Sequence, residues 1–131
     1  MGMYTEFHFN AELRRDTPEE VIAVLQYMLG RIEEKPTLPE HELFRTDRWK
    51  YMLRCDSYYF SADTYSTLRF DETSDAYYLC IRCNFKNYDN EIQKFVSWIS
   101  PYLNEQKGDF LGFYRYEEEQ NPVLLFNGGN D

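Results

Sequence analysis

Apolar and polar residues alternate at the start of the chain with a period of about two. Phe7, Phe9, Ala11 and Leu13 fall on one side, Glu6, His8, Asn10 and Glu12 on the other. That is the pattern of a strand with one buried face. The period then lengthens. Val21, Val24, Leu25 and Met28 recur at helical spacing, with Ile22 and Leu29 widening the stripe. Thr17-Pro18-Glu19-Glu20 supplies a start: a capping Thr, a Pro for the first helical position and an acid where a capping box uses one. Gly30 supplies the stop.

Beyond this helix, Pro36 and Pro39 break the chain. Residues 31–65 are nonetheless too apolar for a linker, because Trp49, Met52, Leu53, Tyr58, Tyr59 and Phe60 all require packing partners. The stretch predicts a folded insertion lying against the domain. Thr64 to Asp71 reads as a strand, with Ser66, Leu68 and Phe70 opposed to Thr67 and Arg69, and residues 71–75 form a polar hairpin loop. Ala76 to Phe85 is the most regular strand, with Tyr77, Leu79, Ile81, Cys83 and Phe85 inward and Tyr78, Cys80, Arg82 and Asn84 outward. Ile92, Phe95, Val96 and Ile99 mark a second helix. It ends or kinks near Ser100, since Pro101 has no amide hydrogen to donate. Two more strands are predicted over Phe110–Glu117 and Pro122–Phe126, and residues 128–131 read as a frayed tail.

The resulting order, β-α-(insertion)-β-β-α-β-β, resembles the split β-α-β or ferredoxin-like plan. The expectation is a single α+β domain over residues 1–131, with an antiparallel sheet and both helices on one face. The first four strands would stand in the order 4-1-3-2, with an extra C-terminal strand. Such a plan implies no particular function.

Charge narrows the choice. The net charge is −9 with a pI near 4.7, which opposes nucleic-acid binding through phosphates and suits a basic protein partner. Aromatic residues make up 18% of the chain, including 12 Tyr, and Tyr suits half-buried and interfacial positions. Arg45, Arg48, Lys50 and Arg54 form a basic island, expected to pair with the chain's own carboxylates. Three cysteines, no secretory signal pattern and no long apolar run predict a cytoplasmic protein with no membrane span. Cys80-Ile81-Arg82-Cys83 has C-x-x-C spacing, but strand residues three apart face opposite ways. No metal and no cofactor is expected from it.

The candidate binding site is the open face of the sheet. Glu6, His8 and Asn10 would lie beside Arg82 and Asn84, with Arg69 on one flank and Tyr114 and Tyr116 on the other. Such a face could bind an anion or a peptide, and His8 beside Glu6 could act as an acid–base pair. The competing expectation is a face covered by the insertion, its polar groups satisfied internally. RNA-recognition modules and acylphosphatase-type enzymes share the plan. However, Arg82-Cys83-Asn84-Phe85 lacks the glycine and most of the aromatics of the former, and Glu12 to Asp16 lacks the glycine cradle of the latter. The expected function is a non-catalytic interaction module, an inhibitor or immunity-type protein acting on a basic partner or a self-associating one. The alternative is a small-ligand or enzymatic domain on the open face.

Overall fold

The computed structural model describes residues 3–128. Its strands are β1 (Thr5–Arg14), β2 (Thr67–Asp71), β3 (Ala76–Phe85), β4 (Phe110–Tyr116) and β5 (Val123–Phe126), and its helices are α1 (Glu19–Met28) and α2 (Glu91–Ile99). The chain is an α+β domain built on one antiparallel five-stranded sheet, in the order β2-β3-β1-β4-β5. β1 and β3 are the central pair, in register from Thr5 opposite Phe85 to Arg14 opposite Ala76. β4 pairs with β1 only as far as Phe9. Beyond it the chain after α2 continues the edge: Leu13 bridges to Leu103, and the Asn104 amide donates to the Glu12 carbonyl at 2.8 Å.

The alternation of β1 and β3 directs one set of side chains into the core. Phe7, Phe9, Leu13, Leu79, Ile81 and Phe85 are buried in a single cluster with Leu25 and Met28 of α1 and Phe95 and Ile99 of α2. Phe95 meets Phe7 and Phe9 edge-on, at ring separations of 6.0 and 6.1 Å. Each fully buried aliphatic or aromatic side chain of this kind contributes ~1.5–3 kcal/mol.

The ends of α1 are half as expected. Gly30 has φ +78°, its amide bonds to the Tyr27 carbonyl, and the Arg31 amide reaches the Gln26 carbonyl at 2.9 Å. Those two bonds make a Schellman stop. At the other end the capping box does not form. Pro18 takes the cap position, and the Thr17 hydroxyl turns back to the Arg14 carbonyl at 2.6 Å.

Between α1 and β2 the chain makes two short 3-10 turns, Glu42–Arg45 and Met52–Arg54. It buries Leu43, Trp49, Met52 and Leu53 in the core cluster. Phe44 lies edge-on to both Trp49 and Trp98, at 4.9 and 5.2 Å. The basic island is largely spent on this packing. Arg48 reaches the fully buried Glu91 at 3.5 Å and Asp89 at 3.7 Å. Arg54 donates to the Met28 carbonyl at the end of α1, and Arg45 faces Glu40 at 3.8 Å. Of the expected tail, Gly128 follows β5 in a turn, and residues 129–131 lie outside the described residues. No helix among the described residues is long and apolar enough to cross a membrane.

Candidate functional site

The face of the sheet away from the helices carries the polar members of each strand. Register sets Glu6 opposite Asn84 and His8 opposite Arg82, with Asn10 opposite Cys80 further along. Arg69 stands opposite Tyr78 on β2, its guanidinium 4.6 Å from the Tyr78 ring centre. Six of the eight expected residues therefore share this face: Glu6, His8, Asn10, Arg69, Arg82 and Asn84. The C-x-x-C pair is split across the sheet, Cys80 beside Asn10 and Cys83 opposite Phe7 in the core. Burial pushes the Cys83 thiol far above its ordinary range, so it stays protonated.

Tyr114 and Tyr116 are on the other side. They lie opposite Phe7 and Thr5, which turns them toward α2. The cause is a bulge between Phe110 and Gly112. An extra residue reverses the parity of a strand, so Leu111 is buried while Phe113 and Arg115 emerge on the polar face beside His8 and Glu6. Gly112 is required there. A Cβ at this position would lie 1.9 Å from the His8 carbonyl oxygen.

The parity change gives the polar face two residues that alternation alone hid. Arg115 Nε donates to Glu6 Oε1 at 2.9 Å, and the His8 ring stacks on Phe113 at 4.6 Å. His8 Nε2 lies 3.6 Å from Glu6 Oε2. The His8 pKa is nevertheless lowered, chiefly by loss of solvent; Glu6 opposes that shift and Arg82 adds to it. The ring is neutral at pH 7.

Residues 55–65 close this end of the face. The buried Asn84 receives the Ser57 hydroxyl, donates to Asp56 at 3.4 Å, and bonds through its amide to the Cys55 carbonyl. Arg82 Nε donates to the Asp63 carbonyl at 2.7 Å. Phe60, 8% exposed, packs with its ring 5.3 Å from the Arg115 guanidinium, and the Tyr59 hydroxyl reaches the Glu117 carbonyl. Arginine donors that would grip an anion are thus turned onto the chain's own carboxylate and carbonyl groups. The far end carries a shallow depression around Asn10, Glu12, Tyr78 and Cys80, and the Arg69 and Arg82 side chains remain exposed.

A different concavity lies on the helix side. α2 and the β4–β5 pair diverge to leave a groove of about 470 Å³, lined by Ile92, Val96, Pro101, Tyr114, Val123 and Leu125, with Gln93, Ser97 and Ser100 as polar members. It runs past Gln93 and Tyr114 into a smaller hollow of about 220 Å³ at Thr5, Tyr88 and Tyr116. Glu117, Glu118 and Glu119 follow Tyr116 directly in the chain. The Tyr116 hydroxyl pKa is raised, first by loss of solvent and then by Glu118 and Glu117. Sequence reasoning missed this groove. The available signal was Val123-Leu124-Leu125-Phe126, an edge strand apolar on both faces.

No family model, curated protein or solved structure matches this chain.

Proposed function

We propose that this chain is a non-catalytic protein-interaction module of a reducing compartment, with an acidic surface that engages a basic protein. One observation carries the reading. Glu6, Arg82 and Arg115 of the polar face are engaged with one another or with residues 55–65, whereas β4 and β5 expose apolar side chains on both of their faces, Val123 (45%) beside α2 and Leu124 (45%) next to Phe113. Apolar side chains held in solvent on an ordered sheet are a common mark of a contact surface. The net charge of −9 supplies long-range attraction for a basic partner. An inhibitor or immunity-type protein covering a basic site is one concrete form. The same reading takes the architecture as ferredoxin-like, with residues 31–65 inserted and β5 appended.

Affinity capture from the native lysate at rising ionic strength tests it. A basic protein should be retained at low salt and released as salt reaches about 0.5 M. A chain that retains nothing at any salt contradicts the proposal. The second reading, a small-ligand or catalytic site at His8 and Glu6, draws on their 3.6 Å approach. It requires a His8→Gln substitution to abolish a ligand-dependent signal.

A further inference from the structure

We propose that the groove between α2 and the β4–β5 pair docks a linear segment of the partner, one that combines apolar anchor side chains with a Lys or Arg at one end. This rests on the interaction reading above and assigns it a surface and a partner chemistry.

The groove has the form of a peptide site. Its floor is Val96, Leu125 and Tyr114, and its wall is Val123, which is 45% exposed. Gln93, Ser97 and Ser100 line it along α2, at intervals that place them on one side of the helix. A volume of about 470 Å³ matches a few side chains rather than a whole domain. Grooves of this kind receive the apolar face of an amphipathic segment.

Charge selects the occupant. At one end the groove opens onto Tyr88 and Tyr116, and the triplet Glu117-Glu118-Glu119 begins at the next residue. The Tyr88 ring is already faced by the Arg48 guanidinium at 4.9 Å, so it is Tyr116, beside the Glu117–Glu119 carboxylates, that favours an incoming Lys or Arg side chain. At the opposite end, by Gly128, stands Lys107. Lys107 shares its turn with Asp109, so the polarity rests on the Glu117–Glu119 carboxylates, and a bound segment has its cation at the Tyr116 end. A second copy of this chain would bring another net charge of −9.

The test is a heteronuclear NMR titration of the full chain with three synthetic peptide pools. The first combines Leu, Ile and Phe with Lys and Arg; the second replaces the basic residues by Glu; the third replaces the apolar residues by Ser. The first pool should shift the amides of Gln93, Val96, Tyr114 and Leu125, and about tenfold more weakly at ~0.5 M salt. Val123→Asp should weaken that binding about tenfold through the wall, and the surface pair Glu118→Gln and Glu119→Gln should weaken it while leaving the thermal midpoint unchanged. Equal binding of the acidic pool overturns the charge assignment, and so the proposal. Shifts confined to Asn10, Tyr78 and Arg82 overturn the location but leave the interaction reading standing. If no pool binds, the proposal fails. If the lysate capture then also retains nothing, the broader reading fails with it.

Discussion

The centre of the sheet and its β4–β5 flank use similar residues to different ends. On β1 and β3, Phe7, Phe9 and Phe85 are fully buried beneath the helices. On the inner face of the flank, Val123 is 45% exposed. The extent of the covering layer accounts for the difference. α1, α2 and the two 3-10 turns between α1 and β2 bury their apolar side chains against β1 and β3 in one cluster, which takes in only Leu125 of β5 among the described residues. β5 is the fifth strand. Its inner face lies at the margin of what α2 can cover, and the groove is the remainder. The centre holds the fold together, while the flank leaves apolar surface for something else.

The contrast can be broken most forcibly where the two regions join. Gly112→Ala places a Cβ 1.9 Å from the His8 carbonyl oxygen and 2.9 Å from the Phe9 Cα, both backbone atoms that cannot swing aside. Loss of on the order of 3 kcal/mol or more is expected, read from urea denaturation or from failure to recover folded protein. Phe9→Ala should cost ~3–5 kcal/mol by leaving a cavity against Phe95. Val123→Ala, in the same assay, should cost no more than about 0.5 kcal/mol. Similar costs for the two would mean that the flank is core after all.

Of intermediate size is Glu91→Ala. It removes the buried partner of Arg48 and the acceptor of the Asp89 amide. Arg48 is only 20% exposed on its side chain, so the loss should approach ~3 kcal/mol.

The smallest effect concerns pH. The folded His8 pKa lies below its ordinary value of 6.5, so the unfolded chain binds the proton more readily. The associated stability is complete above that value and declines as pH falls through it toward the folded pKa. A His8→Gln variant should show a flatter pH dependence of the denaturation midpoint in that window, and an unchanged slope would contradict the burial of the ring.

Much of the centre is legible in the sequence. The alternation of Phe7, Phe9, Ala11 and Leu13 marks β1, Leu79 and Ile81 mark β3, and Gly30 marks the end of α1, because each signal is local. Thr17 departs from its capping pattern because the helix begins one residue later, with Pro18 at the cap, and the Thr17 hydroxyl donates back to the Arg14 carbonyl. Tyr114 and Tyr116 lie on the face opposite to the expected one because parity is read by counting residues, and the bulge at Gly112 adds one. The groove is invisible for a different cause. It depends on how far the layer of α1, α2 and the intervening turns reaches across five strands, a property of the assembled layers and of no single segment.

Hydroxyl-radical footprinting of the full chain, alone and with the apolar–basic peptide pool, tests the central claim most directly. In the free protein, Val123 and Phe110 should oxidise readily and Phe7, Phe9 and Phe95 should be protected, in keeping with their exposures. Adding the pool should protect Val123 and Val96 and leave Tyr78 unchanged. Protection at Tyr78 instead, or oxidation of Phe9 at the rate of Val123, would contradict the division between a sealed centre and a docking flank.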